Sequence, residues 1–159
     1  MASNKKSASV LKYGVLVAAI IIVVRIVLEL LGVPGSINSV FGVAWLYLIL
    51  PVLFAFYIVA EGESRPLRAL FNNVLLFAVY TRLMVMITYM LAYSFKWEAP
   101  RFSLPGGGNV GNDVNALNGF LLIPLRNALI WIIMAVILGM IIGGVTIWLR
   151  KMSARPASS

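Results

Sequence analysis

Four ionisable residues fall inside apolar runs long enough to cross a membrane: Arg25, Glu29, Arg82 and Arg126. A charge near the middle of a bilayer costs roughly 2.5–3.5 kcal/mol on insertion scales, so each needs a compensating partner. Arg25 and Glu29 stand one helical turn apart in "IVVRIVLELLG" and are expected to pair directly, although Arg before Glu is the weaker order.

Arg82 lies roughly 12 residues, or about 18 Å, from either end of its run, too far for its side chain to reach the headgroups. It should face the bundle interior, a water-filled cavity or another subunit. Arg126 sits about two turns into the last run, or closer to its mouth if Pro124 opens the helix. Together these residues set three guanidiniums against one carboxylate. Such an excess suits an anion held in bidentate fashion: a lipid phosphate, a carboxylate substrate or an acidic residue of a partner. Alternatively Glu29, backbone carbonyls and Asn or Tyr oxygens satisfy the cluster within the chain.

Other spacings carry less chemistry. Gly106, Gly108 and Gly111 spell G-x-G-x-x-G, but a dinucleotide site needs that motif between a strand and a helix. Here it falls between two apolar runs and reads as a flexible loop. Asp113 is the sole carboxylate of the Asn-rich stretch 109–118, too few for a calcium site. Met84 and Met86 differ by about 200° around a helix, so with Met90 they read as packing rather than a metal path. Ala135, Gly139 and Gly143, with Gly144 adjacent, present small residues on one helix face and predict close approach of another helix.

Composition sets the frame for these residues. The chain of 159 residues is 62% hydrophobic and 11% charged, with mean hydropathy +0.98. A soluble domain would carry about a quarter charged residues. The expected fold is an all-α membrane protein, a four-transmembrane-helix bundle of two helical hairpins. Spans are predicted at about 13–33, 40–60, 69–95 and 120–149, with an outer loop over 96–119. Residues 1–12 read as a disordered tail and 150–159 as a second polar tail; 13–149 form one membrane domain. Trp45 and Tyr47 sit near the start of the second span, where interfacial aromatics belong, and Pro51 should kink it.

Lys5, Lys6, Lys12, Arg65, Arg68, Arg150, Lys151 and Arg155 flank the spans on one side, against Lys96 and Arg101 on the other. Both termini are therefore expected in the cytoplasm, with the spans in a membrane such as the bacterial inner membrane. The net charge of +8 reflects this placement and contact with anionic headgroups, and no nucleic-acid partner is expected.

Cys and His are absent. Zinc sites of ordinary ligand type, thiol nucleophiles and axial-His haem are thereby excluded, and no cofactor is expected. The expected function is a non-catalytic membrane subunit, a scaffold or accessory component of a larger complex. It would meet a protein partner or further copies of itself through the small residues of the last span and the intramembrane arginines. The second reading is a small oligomeric transporter or channel. Four spans with one membrane carboxylate in the first resemble, in outline, the small multidrug exporters. Arg25 beside Glu29 would repel the cations those proteins carry, so an anionic or amphipathic substrate fits better. An enzyme acting on lipid-linked phosphate is the least supported, because one carboxylate without His or metal is thin equipment.

Overall fold

The computed structural model describes residues 5–153. The described residues form helices and their connections: α1 (Lys5–Leu30), α2 (Gly35–Val40), α3 (Leu46–Ala60), α4 (Pro66–Phe95) and α5 (Ile123–Ser153). A 3-10 turn at Val43–Trp45 leads into α3, and a π turn at Asn118–Leu122 leads into α5. The extended pairing among them is a single bridge between Ser103 and Val110. Four stretches are long and apolar enough to cross a membrane: Ser7–Leu30, Gly35–Ala60, Pro66–Phe95 and Asn118–Ser153. The shortest, 24 residues, reaches about 36 Å, more than the ~30 Å of a hydrocarbon core.

The elements run longer than hydropathy alone suggests. α1 starts at Lys5 rather than Tyr13 because no Gly or Pro interrupts residues 5–13 and Lys, Ala and Ser tolerate a helix. Residues 5–12 are therefore helical rather than a disordered tail, while residues 1–4 lie outside the described residues. α5 likewise runs to Ser153, and the rest of the expected tail lies outside the described residues. The uncharged segment expected to be a loop after α1 contains α2, which starts directly after Pro34. The second span is thus a broken helix, interrupted at Phe41–Gly42, where Gly42 is extended (φ −95°, ψ 135°). Pro51 lies inside α3 and is buried.

α1 packs on α3 and α4, and α5 packs on the same two helices. The core between them includes Ile22, Phe54, Leu70, Val74 and Phe77. The small-residue face of α5 turns to this core. Ala135, Gly139 and Gly143 are buried, whereas Gly144 borders open space. A Cβ on Gly139 would stand 2.7 Å from Val74 Cγ1, and one on Gly143 would stand 2.7 Å from both Leu70 Cδ atoms and 3.1 Å from the Pro51 carbonyl oxygen. The close approach predicted for this face is therefore made within the chain, to α3 and α4, and Gly144 takes no part in it.

Most of the remaining apolar surface points outward. The apolar window of the first span is 17% buried, and that of the last 22%. Exposed Val, Leu and Ile on this scale need lipid rather than water around them.

Candidate functional site

Three arginines, Arg25, Arg82 and Arg101, line one cavity in the bundle, and two of them are legible in the sequence. Arg25, near the end of α1, donates from Nε to Glu29 Oε1 at 3.1 Å, which is the expected pair one turn apart. The other carboxylate oxygen, Oε2, is taken by a residue that spacing did not mark: Arg101 Nε lies 3.0 Å from it. The N–H of Arg101 does not aim at that oxygen, so the contact is an ion pair without a hydrogen bond. The Glu29 side chain is 5% exposed and sits between two guanidiniums.

Arg101 belongs to the connection between α4 and α5, which is folded onto the bundle rather than flexible. Phe102 is buried, with its ring centroid 5.2 Å from Tyr89 and 5.7 Å from Trp97. The Arg101 guanidinium lies over the Phe102 ring at 4.4 Å. Asn109 is fully buried and its Nδ2 donates to the carbonyls of Tyr89 and Gly119, each at 2.7 Å. Those bonds tie the loop to the last turns of α4 and to the start of the final span. The glycines of G-x-G-x-x-G serve this fold. A Cβ on Gly108 would overlap the Phe102 backbone, and one on Gly106 the Pro100 carbonyl. Burial pushes the Arg101 guanidinium below its ordinary pKa, with Glu29 opposing the shift. An arginine remains protonated at neutral pH even so.

Arg82 is 7% exposed and has no carboxylate near it. Its Nε donates to Tyr47 Oη at 2.9 Å, and its guanidinium lies 5.1 Å from the Tyr47 ring centroid and 4.6 Å from that of Trp131. Tyr47 therefore turns inward to the arginine and not out to the headgroups, and it is 3% exposed. A hydroxyl and two π faces ease the desolvation of Arg82 without cancelling its charge.

Arg126 does not join this group. Pro124, Ala128 and Ala135 face the bundle, and Arg126 stands about 200° from Pro124, on the exposed side of α5. The charged cluster is therefore Arg25, Glu29, Arg82 and Arg101, with a loop arginine where the last span's arginine was expected. A loop charge has no helical phase, and Arg101 reaches Glu29 through the folding of residues 96–117, which local spacing does not reveal.

A cavity of about 330 Å³ lies among these residues. Arg25, Arg82, Arg101, Tyr89, Trp131 and the break at residues 41–44 line it, and no carboxylate does. Glu29 faces a neighbouring hollow of about 350 Å³ bounded by Pro34, Asn38 and Pro100, with Arg25 and Arg101 between the two spaces. Non-helical backbone inside an apolar span is tolerated where it lines such a cavity, which accounts for the break at Phe41–Gly42. Arg101 Nη2 is buried without a hydrogen-bond partner among the described residues, while Nε has its ion pair to Glu29. A buried donor of that kind calls for an acceptor, and a charged donor calls for an anionic one. Among the described residues no group of three or more His, Cys, Asp or Glu could hold a metal ion. No family model, curated protein or solved structure matches the chain.

Proposed function

We propose that the chain is a non-catalytic integral membrane subunit, with four spans paired as two hairpins and both termini cytoplasmic, that holds an anionic group in its arginine-lined cavity. It acts as a scaffold or accessory component, and the anion is its means of attachment to what it serves. The observation that carries this reading is a cavity lined by three guanidiniums and no carboxylate, with the buried Arg101 Nη2 lacking a hydrogen-bond partner among the described residues. The one carboxylate in reach, Glu29, is turned away and already held by two arginines, so it is not placed to act as a base on anything in the cavity.

The test is purification from native membranes in a mild detergent, followed by native mass spectrometry of the wild type and of the Arg82→Gln/Arg101→Gln double variant. The wild type should carry a stoichiometric partner, protein or lipid, that the double variant loses at least tenfold, the loss of one charged hydrogen bond of about 1.5–3 kcal/mol. A wild type that emerges without any bound species, or a double variant that keeps the same one, sinks the reading. The alternative of a small oligomeric transporter for an anionic or amphipathic substrate draws on the same lining. It requires anion flux in liposomes that falls when Arg82 is neutralised.

A further inference from the structure

A second hollow, of about 300 Å³, lies between α3 and α5 next to the arginine cavity. Ala44, Trp45 and Leu48 form one wall, and Trp131, Met134 and Leu138 form the other. No charged residue lines it. Ala44 and Trp131 line both hollows, so the two spaces meet there. Arg82 marks the junction, with its guanidinium on the Trp131 ring and its Nε bonded to Tyr47, which also lines the apolar hollow.

We propose that the two hollows are the head and tail halves of one site that holds a single anionic glycerophospholipid. This rests on the cavity being an anion site. The phosphate lies among Arg25, Arg82 and Arg101, and one acyl chain runs down the groove between α3 and α5. Three observations select this occupant. The cavity lining is cationic without a carboxylate, which matches a phosphodiester and opposes a second cation. The groove opens toward the outward apolar face, where Leu48 is 39% exposed and Leu138 37% exposed, so lipid can enter it sideways. Each hollow falls at the small end of the roughly 300–1,000 Å³ range of ligand pockets, which fits a headgroup and part of one chain rather than a whole lipid. An acidic peptide would bring backbone N–H and C=O groups against a groove with almost nothing to satisfy them. A tail brings none.

A chain that moves from bilayer to groove leaves one apolar phase for another and gains little from the hydrophobic effect. Selectivity must therefore come from the head. A phosphatidylcholine places a quaternary ammonium beside three guanidiniums, whereas a phosphatidylglycerol does not.

The experiment titrates the purified full chain in a nonionic detergent with phosphatidylglycerol, phosphatidylcholine or glycerol 3-phosphate, counting bound molecules by native mass spectrometry. The expected result is one phosphatidylglycerol bound at least tenfold more tightly than phosphatidylcholine. Arg101→Gln should weaken phosphatidylglycerol and glycerol 3-phosphate alike. Leu138→Trp, which fills the groove from its lipid-facing wall, should weaken phosphatidylglycerol about tenfold and leave glycerol 3-phosphate unchanged. Leu48→Trp on the opposite wall should do the same, and matched melting midpoints identify variants that fold. If glycerol 3-phosphate binds as tightly as the lipid and neither tryptophan variant matters, the anion site stands and the lipid assignment falls. Recovery of an acidic protein in place of lipid, lost in Arg101→Gln, also overturns the lipid. If none of the three probes binds, both the site and its occupant are refuted.

Discussion

At the scale of single residues, the organising fact is a shortage of negative charge. Glu29 has two oxygens and each meets a different arginine, Arg25 through a hydrogen bond and Arg101 through an ion pair. Nothing acidic remains for Arg82, which rests on Tyr47 and Trp131. Sequence reasoning reached part of this. Arg25–Glu29 follows from a four-residue spacing, and the need for Arg82 to face inward follows from its depth. The partners of Arg82 lie 35 and 49 positions away in sequence and on other helices, so no local pattern could name them. Replacing Glu29 by Gln keeps size and one acceptor but leaves Arg25 and Arg101 without a counter-charge. The variant should lose about 2 kcal/mol of stability, seen as a lower midpoint of thermal unfolding in detergent. It should also regain more of that midpoint on addition of phosphatidylglycerol than the wild type gains. A variant that melts with the wild type and responds equally to the lipid would show that Glu29 does not balance this cluster.

At the scale of elements, hydropathy located the four spans but not their edges or their breaks. A sliding average scores side chains, and the outer turns of α1 and α5 are polar yet helical. The break at Phe41–Gly42 sits within the span expected over 40–60, and no local pattern marks it, because the cavity it lines is completed by residues of other helices. Residues 96–117 lack any periodicity and, by sequence alone, read as flexible. Their order comes from Phe102 and Asn109, whose partners are on α4 and at the head of the last span. The small-residue stripe was legible as a packing face, and its target was not. That target gives a sharp contrast between adjacent glycines. Gly143→Leu drives a side chain into Leu70 of α4 and the Pro51 carbonyl of α3, which should push α5 away from both and cost about 1–3 kcal/mol. Gly144→Ala enters open space and should be neutral or stabilising by up to about 0.5–1 kcal/mol. Unfolding midpoints of the two purified variants decide this. Equal midpoints would mean that α5 does not meet α3 and α4 through Gly143.

At the scale of the whole molecule, the side of the membrane on which the cavity opens decides which leaflet can supply its anion. The cavity is built from the last turns of α1, the start of the second span and the loop that carries Arg101, closed by Arg82, Val85 and Tyr89 of α4 and Trp131 of α5. The connection at residues 61–65, which carries Arg65 and is followed by Arg68, lies at the turn between α3 and α4 instead. In the proposed orientation, drawn from the charge bias, that turn is cytoplasmic and the Arg101 loop is outside, because Lys and Arg resist translocation while the short first connection carries neither. This orientation therefore opens the cavity toward the outer leaflet. The absence of cysteine makes this directly measurable, since a single introduced thiol is the only one present. Ser64 and Asp113 are both exposed and occupy the two connections. In intact cells an impermeant maleimide should label Asp113→Cys, and it should label Ser64→Cys only after the membrane is permeabilised. The reverse pattern would put the arginine cavity in the cytoplasmic half, where anionic lipid is drawn from the inner leaflet.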